Sequence, residues 1–420
     1  MAGEVTLSGA KNLASKLMLA TLLTEEECIL ENVPEIGESD IALAMVARAG
    51  GHVERTGTTV RIRNHSISES DLSTVPRNRL SILAIGPLLF RTGRAIVPVP
   101  GGDQIGKRPV DFHLTALRQF GATITEEGGL YVAEALELTG TAVTLPYPSV
   151  GATETVLLCG AWANGTTTLT NAAIEPEVSE LVHFLRELGV TIDSPSERTF
   201  VIQGTHSFKG ATQRVIPDRL EAISYAAAAL ATRGDVRMHG AMPEHLNTYQ
   251  TFVNDIGGSF EILGDALRVS AHGPLRPTVV RTDVYPGFAT DWQQPSAVAL
   301  LTAAGESVIH ETVMDNRFGY CDDLIRMGAQ ISVSTNCVGT PCRFNGQSAH
   351  VARISGPTQL TASQITIPDI RAGMAHLIAA LIAHGESTLI GLEHLDRGYG
   401  QQLEEKLRAL GATIRRVELP

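Results

Sequence analysis

The feature that most constrains this chain's fold is a phrase that recurs six times along its length. Each copy is a helix-like stretch that ends in glycine and leads into a short β-rich run. The copies read ARAGGHV, LRQFGATI, LRELGVTI, VNDIGGSF, LIRMGAQI and LRALGATI, with glycines at Gly50, Gly121, Gly189, Gly257, Gly328 and Gly411. These glycines recur about 70 residues apart, with a last interval about a dozen residues longer, so the repeat exceeds a solenoid unit. We therefore expect six copies of a compact βαβ-containing unit.

A second glycine turn marks another helix in each later unit. These turns lie at Gly93, Gly165, Gly234, Gly305 and Gly385. We expect a left-handed residue at each of them, because helices commonly end on such a glycine. The stretch 371–383 is apolar on nearly every side, whereas 401–410 is amphipathic. Each unit is therefore predicted to contribute one buried and one solvent-facing helix, and a joint near 215–218 separates three units from three.

Composition narrows the range of partners. The 420 residues are 43% hydrophobic and carry a net charge of −12, which disfavours nucleic acid or an anionic membrane as a partner. The longest apolar run, near 373–383, is too short to span a bilayer, and the N-terminus lacks the apolar segment of a secretory signal. Five scattered cysteines indicate free thiols, so we expect a cytoplasmic protein.

A glycine-rich loop at about 100–108 is the first candidate for chemistry. It holds three glycines, the carboxylate of Asp103 and the cation of Arg108 within a few residues. Such a loop is a candidate lid that brings an acid to a bound anion. The alternative is a solvated glycine turn with a charge pair. The loop has neither the Gly-Lys-Ser/Thr ending of a nucleotide P-loop nor the Rossmann glycine pattern.

Polar residues also gather at the predicted starts of the buried helices. These starts are Lys11–Asn12, Asn78–Arg79, Ser149–Gly151, Asp218–Arg219, Thr290–Asp291 and Asp369–Arg371. Helix N-termini favour anions, so with Arg108 these groups predict an anion site. The alternative for each is a helix cap, and Asp291 and Asp369 suit that role. Arg397 is placed in a loop before the last helix, where it is either a further site cation or a surface residue.

The extra residues of the last repeat, 334–350, are rich in Gly, Ser, Asn and Pro and are predicted to form an inserted hairpin or loop. Cys337, Cys342 and His350 in this insertion are possible metal ligands, with Cys321 as a fourth. Their spacing matches no known zinc motif, and free cysteines on a loop are the favoured interpretation. We predict no metal.

Seven stretches together resemble one family, the UDP-N-acetylglucosamine 1-carboxyvinyltransferases among the enolpyruvyl transferases. They are SGAKN, PGGDQIGKRPVD, SVGATET, TDWQ, DNRF, DIRAG and HLDRGY. The resemblance covers nearly the whole chain and implies a two-domain inside-out α/β barrel with three units per domain. It implies one domain at 11–216, which carries the loop, and a second made of 1–10 and 217–420.

The resemblance also implies a reaction. The enolpyruvyl group of phosphoenolpyruvate moves to the 3′-hydroxyl of UDP-N-acetylglucosamine, phosphate leaves, and the product commits the sugar to peptidoglycan synthesis. The route is addition and elimination through a tetrahedral phospho-ketal, which requires an acid, a base and cations. Neither a cofactor nor a metal is implied, and the oligomeric state is left open.

Roles are carried over to the matching positions of this sequence. Catalytic roles fall on Asp103 as the acid, Asp291 as the base, Lys11 and Arg397. The implied phosphoenolpyruvate clamp is Lys11, Asn12, Arg108, Arg371 and Arg397. The implied contacts of the sugar nucleotide are Asn12, Arg79, Arg108, Pro109, Val110, Asp111, Phe112, Ser149, Val150, Gly151, Asp291 and Val313.

The chain departs from the family pattern at several points. Asp103 stands where most members have cysteine, so we expect insensitivity to fosfomycin, which needs a thiol to alkylate. An aspartate with an ordinary pKa of about 3.9 is a poor acid at neutral pH, so a closed loop would have to desolvate Asp103. Tyr147 replaces a common lysine. The chain also starts about ten residues late, and we expect loss of the first strand to loosen the second domain.

Three other functions stay open on the sequence. The first is an enolpyruvyl transferase of the same fold that uses shikimate 3-phosphate as its acceptor. The PGGDQIGKRPVDFH and DIRAG stretches disfavour this function. A paralogue acting on a different nucleotide acceptor is the second. The third is a non-catalytic protein that binds the sugar nucleotide without turnover.

Overall fold

Helices and strands alternate through residues 1–101 and 109–417, the part of the chain that the computed structural model describes. The helices are α1 (Lys11–Ala20), α2 (Gly37–Arg48), α3 (Ser81–Thr92), α4 (Asp111–Gln119), α5 (Val150–Gly160), α6 (Pro176–Glu187), α7 (Arg219–Ala231), α8 (Asn247–Asp255), α9 (Gln293–Leu300), α10 (Tyr320–Arg326), α11 (Ile370–Ile382), α12 (Leu392–Tyr399) and α13 (Leu403–Ala409). The strands are β1 (Ala2–Thr6), β2 (Cys28–Glu31), β3 (His52–Thr56), β4 (Thr59–Arg63), β5 (Arg94–Pro98), β6 (Thr123–Glu127), β7 (Leu130–Glu134), β8 (Ala142–Thr144), β9 (Thr166–Thr170), β10 (Thr191–Ser196), β11 (Thr199–Gln203), β12 (Thr212–Arg214), β13 (Asp235–His239), β14 (Ser259–Leu263), β15 (Ala266–Ser270), β16 (Val279–Arg281), β17 (Gly305–His310), β18 (Gln330–Ser334), β19 (Val351–Gly356), β20 (Gln364–Thr366) and β21 (Thr388–Ile390). Single 3₁₀ turns cover Thr21–Leu23, Pro243–His245 and Thr290–Trp292.

The glycines of the recurring phrase end helices as predicted. All six adopt φ values between +87° and +104°, the left-handed region that a side chain disfavours. In the second set of turns, the prediction is wrong for Gly234. Arg233 takes the left-handed conformation there, with φ of +50°. Gly234 is instead required by crowding, since a Cβ on it would lie 1.9 Å from the carbonyl oxygen of Met1.

The backbone divides into two compact units. The first unit contains residues 9–101 and 109–216, and the second contains residues 1–8 and 217–417. Described strands of the first unit form the sheets β12–β2–β4–β3, β5–β7–β6 and β10–β11–β9–β8. Those of the second form β1–β13–β15–β14, β16–β17–β19–β18 and β20–β21. One sheet therefore corresponds to each of the six repeats.

The four-stranded sheets share one pattern. A parallel pair at one edge, such as β16 with β17, is followed by antiparallel pairs, such as β17 with β19. This common pattern is what a repeated βαβ-containing unit predicts.

The core of each unit is made of helices rather than sheet. In the second unit, α7, α9 and α11 pack against one another, and every residue of α7 is buried. In the first unit, α3 contacts both α1 and α5. The alanines of α7 allow its backbone to approach neighbouring helices closely. Central helices with sheets around them are the inside-out α/β architecture that the resemblance implied, and this prediction is confirmed.

The expectation that the first strand is missing is wrong. β1 pairs in parallel with β13, in a register that runs from Ala2 opposite Asp235 to Thr6 opposite His239. The chain then leaves the second unit after Ser8. Gly9 and Ala10, assigned to the second domain by the prediction, lie in the first unit, where the Ala10 N–H donates to the carbonyl of Ile216 over 2.7 Å.

The insertion 334–350 is a loop, as predicted, and it joins the end of β18 to the start of β19. No helix in the described ranges is long and apolar enough to cross a membrane.

Candidate active site

The start of α1 carries two of the candidate residues, Lys11 and Asn12. Lys11 Nζ lies 3.7 Å from the carboxylate of Glu38, and both side chains are largely buried. Among the described residues no side chain caps α1, because alanine occupies the N-cap position. The positive end of this helix and the Lys11 ammonium therefore favour an anion at the same place.

A second cluster in the first unit surrounds His113 of α4. Its Nδ1 makes a 2.7 Å hydrogen bond with Thr155 Oγ1 on α5. Burial and the charge of Arg79 lower the pKa of His113 to about 3, so the ring is neutral at physiological pH. Gly151 lets the ring approach α5, since a Cβ there would lie 2.8 Å from His113 Cε1. The structure thus places Arg79, His113 and Gly151 at one site, and of these His113 was not predicted as a site residue.

The other first-unit candidates lie at the starts of α4 and α5. Ser149 caps α5 with a long 3.4 Å hydrogen bond from the N–H of Ala152. Pro109 and Asp111 are exposed, whereas Val110 and Phe112 pack against the core of the first unit. Val150 begins α5 and is half-buried. Asp103 and Arg108, together with the rest of the predicted lid at 102–108, lie outside the described residues.

In the second unit the candidates converge on Asp291. Its Oδ1 accepts a 2.7 Å hydrogen bond from Arg317, and its Oδ2 accepts a 3.1 Å hydrogen bond from Arg371 Nε. Burial opposes ionisation of this carboxyl group, but the two guanidinium groups outweigh it and hold its pKa well below the ordinary value. Asp291 lies in the 3₁₀ turn before α9, and a helix N-cap was the alternative considered for it; the structure pairs its carboxylate with these arginines instead.

Arg371 is held from several sides at the start of α11. Asp369 caps this helix as predicted, accepting from the N–H groups of Arg371 and Ala372 over 2.8 and 3.0 Å. The Arg371 guanidinium donates to Tyr399 Oη over 3.2 Å, and Tyr399 in turn bonds Ser224 on α7 over 2.7 Å. Despite the opposing effect of burial, the charges around Arg371 raise its pKa, so it stays cationic.

Arg397 does not lie in a loop, and that prediction is wrong. It belongs to α12, which ends at Tyr399, the residue that contacts Arg371. The Gly391 left-handed start and Gly400 after the helix allow this short element to form between β21 and α13.

Val313 is positioned by a buried carboxylate that sequence reasoning missed. Glu311 accepts hydrogen bonds from the N–H groups of Val313 and Met314 over 2.7 and 2.8 Å. It also accepts from the hydroxyls of Thr282 and Thr290 over 2.9 and 2.8 Å. Because Thr290 begins the turn that holds Asp291, one side chain orients both Val313 and that turn.

Arg317 and Tyr399 were also missed, although the stretches DNRF and HLDRGY that contain them were recognised. Membership of those stretches was the only signal available, because neither residue lies near Asp291 or Arg371 in the sequence.

Comparison with solved structures defines the class of protein. The enolpyruvyl transferase NikO from Streptomyces tendae aligns with a TM-score of 0.87 and 26% identity, covering 98% of this chain and 95% of NikO. EPSP synthase from Acinetobacter baumannii aligns with a TM-score of 0.69 at 18% identity, covering 98% and 96% of the two chains, which supports the fold alone. A family model described as EPSP synthase (3-phosphoshikimate 1-carboxyvinyltransferase) matches residues 1–407. The fold is that of the enolpyruvyl transferases.

Curated relatives narrow this class. The UDP-N-acetylglucosamine 1-carboxyvinyltransferase of Protochlamydia amoebophila is 44% identical, over 99% of this chain and 92% of the relative. The UDP-N-acetylglucosamine 1-carboxyvinyltransferase 1 of Carboxydothermus hydrogenoformans is 40% identical, over 99% and 96%. The chain belongs to the UDP-N-acetylglucosamine 1-carboxyvinyltransferase family.

Proposed function

We propose that this protein transfers the enolpyruvyl group of phosphoenolpyruvate to the 3′-hydroxyl of UDP-N-acetylglucosamine and releases phosphate. The observation that carries the proposal is the carboxylate of Asp291, which is held between Arg317 and Arg371. The chain's curated relatives are named UDP-N-acetylglucosamine 1-carboxyvinyltransferases. A carboxylate and cations are what proton removal from a hydroxyl and the binding of phosphoenolpyruvate demand.

The ionisation of Asp291 gives these residues an order of action. A carboxylate that holds two guanidinium groups is a weak base, because both partners stabilise its charged form. An anionic substrate competes for Arg371, and transfer of that guanidinium to a phosphate raises the basicity of Asp291. Binding of phosphoenolpyruvate thus prepares Asp291 to accept the proton of the sugar hydroxyl.

The remaining roles are part of the proposal. Lys11, Asn12, Arg108, Arg371 and Arg397 clamp phosphoenolpyruvate, and Asp103 protonates its methylene carbon. The sugar nucleotide contacts Asn12, Arg79, Arg108, Pro109, Val110, Asp111, Phe112, Ser149, Val150, Gly151, Asp291 and Val313. Five cysteines that form no disulfide fit a reducing cytoplasm as the place of action.

The test is phosphate release from phosphoenolpyruvate, with either UDP-N-acetylglucosamine or shikimate 3-phosphate as the acceptor. We expect phosphate release with UDP-N-acetylglucosamine and none with shikimate 3-phosphate. The rate of release should fall at least about 100-fold in Asp103→Ala, a typical effect of removing a general acid. Release with shikimate 3-phosphate would assign the chain to that branch. Binding of UDP-N-acetylglucosamine without any release would identify a non-catalytic paralogue.

A further inference from the structure

Four metal-ligating side chains meet at one end of a sheet in the second unit. We call His310, Cys337, Cys342 and His350 the Cys/His cluster. One candidate ligand atom from each lies within 4.8 Å of the others. Two strands supply the histidines, since His310 ends β17 and His350 immediately precedes β19, its antiparallel neighbour. The insertion loop supplies the cysteines, and Cys321, considered above as a fourth ligand, is not a member.

Two distances within the cluster are close to those of tetrahedral coordination. Cys337 Sγ lies 3.5 Å from Cys342 Sγ and 3.2 Å from His350 Nε2. Zinc bonds of about 2.3 Å to sulfur and about 2.1 Å to nitrogen place such atoms about 3.8 and 3.6 Å apart at tetrahedral angles. Both measured distances lie within a few tenths of an ångström of these values.

His310 provides an independent sign of a ligand. The residue is 1% exposed, and its Nε2 has no hydrogen-bond partner among the described residues. Arg281 Nη1 lies 3.4 Å from the other ring nitrogen, Nδ1, and also donates to the carbonyl of Thr340 over the shorter distance of 2.8 Å. Arginine can only donate, so this contact uses the Nδ1 lone pair of His310. Moving the ring proton to Nδ1, while Arg281 keeps its bond to Thr340, frees the buried Nε2 lone pair for a metal.

The other ligands are oriented by backbone groups. His350 Nδ1 donates to the Ser348 carbonyl over 2.7 Å, so its Nε2 lone pair faces Cys337. The Cys342 N–H donates to Cys337 Sγ over 3.1 Å, and the Phe344 N–H donates to Cys342 Sγ over 3.4 Å. Hydrogen bonds of this kind stabilise thiolates and fix the tautomer of a ligating histidine.

We propose that His310, Cys337, Cys342 and His350 bind one structural zinc ion. Two thiolates and two imidazoles are a donor set that favours zinc, and four protein ligands leave no open position for catalysis. The ion would close the polar insertion onto the ends of β17 and β19. It would also fix Arg343, which donates to the carbonyl of Val313. The proposal is independent of the proposed function and replaces the prediction of no metal.

The test is the metal content of the full-length protein, purified without chelators and measured by plasma mass spectrometry. We expect about one zinc per chain, and at least a tenfold lower content in Cys337→Ser/Cys342→Ser. Cys321→Ala is the matched control, because it removes a buried cysteine outside the cluster and should keep its zinc. Wild-type protein stripped of metal by a chelator should bind added Co²⁺. The bound ion should show thiolate-to-cobalt charge-transfer absorption, which a disulfide could not give.

Three results would overturn the proposal. The first is wild-type protein that is purified without zinc and whose intact mass rises by two units on reduction. This result would identify a Cys337–Cys342 disulfide, in which the two sulfurs have closed to about 2.05 Å. Zinc that persists in the double variant would place the metal elsewhere. Absence of charge-transfer absorption with Co²⁺ would exclude thiolate ligands, and this experiment on wild-type protein remains decisive even if the double variant fails to fold.

Discussion

At the scale of single residues, the charge of Asp291 depends on partners that lie far away in sequence. Arg317 is 3% exposed and Arg371 is 9% exposed as side chains, so their charges act on Asp291 with little screening by solvent. Removing either partner should move the pKa of Asp291 back toward its ordinary value. The change should be visible in catalysis, because only the ionised form can accept a proton.

The first prediction therefore concerns Arg317→Met, which keeps much of the side-chain volume. We expect kcat/KM to fall and its acidic limb to move to higher pH, since one stabilising cation is lost. The measurement is the pH dependence of kcat/KM. Arg326→Met, at an exposed arginine of α10, should leave the profile as in the wild type. An acidic limb that stays in place in Arg317→Met would contradict the role given to this pair.

Glu154 of α5 is a buried carboxylate that the proposed reaction does not use. Burial raises its pKa from the ordinary 4.5 to about 7; the charge of Lys16 opposes this shift, whereas those of Glu177 and Glu175 add to it. An acid whose pKa is raised on folding binds its proton more tightly in the folded state. Below about pH 4.5 the group is protonated in both the folded and the unfolded state and does not lower the free energy of unfolding. Above pH 7 it is ionised in both states, and the free energy of unfolding is lower by the full amount.

The second prediction is that stability falls as pH rises from 4.5 to 7 because of this group, and that Glu154→Gln removes the fall. At pH 8 the variant should be more stable than the wild type by at most about 3 kcal/mol, with no difference at pH 4. Urea unfolding at both pH values measures this. Glu187→Gln, at the exposed end of α6, is the control and should show the same pH dependence as the wild type. Equal stability of Glu154→Gln and wild type at pH 8 would refute the argument.

At the scale of elements, Glu311 joins the end of β17 to two turns. Its two carboxylate oxygens accept from backbone N–H groups on one side and from Thr290 and Gln293 on the other. The residue is fully buried, so these donors lie out of reach of solvent and depend on it. The short segment with Val313 and the turn with Asp291 are therefore held by one group.

The third prediction is that Glu311→Gln destabilises the protein by about 2–4 kcal/mol, because an amide N–H₂ then faces the Gln293 donor and one acceptor oxygen is lost. The midpoint of chemical unfolding measures this loss. Glu306→Gln on the same strand, where an exposed carboxylate pairs with Arg353, should have little effect. Similar midpoints for the two variants would show that the buried network does not act as described.

At the scale of the whole molecule, the second unit is built from two separate stretches of chain. β1 covers the edge of β13, and Val5 of this strand is 5% exposed. The N-terminal ammonium also donates to Thr232 Oγ1 over 3.0 Å. Six residues at the start of the chain thus complete a sheet whose other strands begin more than 200 residues later.

The fourth prediction is that removal of residues 1–6 destabilises the protein by at least about 2 kcal/mol, through the buried area of Val5 and the lost strand pairing. Thermal and urea unfolding of the shortened chain measure the effect. Glu4→Gln keeps the strand and removes only exposed ion pairs to Arg237 and His239, so its midpoint should match that of the wild type. An unaltered midpoint after removal of the strand would show that β1 contributes nothing to stability.

Sequence reasoning succeeded where a signal is local. The glycines of the recurring phrase mark helix ends because a left-handed residue is needed within one turn of the helix. It failed at Gly234, where crowding by Met1 matters, and at Arg397, whose surroundings read as a loop but form α12. It also missed Glu311 and Arg317, because a buried polar residue carries no periodic signature in the sequence.

Periodicity and the spacing of glycines alone determined that this chain folds as six α/β units with buried central helices, since each of these signals acts over a few neighbouring residues. The contacts that give the chain its chemistry were decided only by tertiary structure. Asp291 meets Arg371 because α9 and α11 pack together in the second unit, and Arg317 reaches it from the segment before α10. His310 meets Cys337, Cys342 and His350 because β17 and β19 pair in one particular register. Such meetings depend on how elements pack and pair, and no local pattern encodes them.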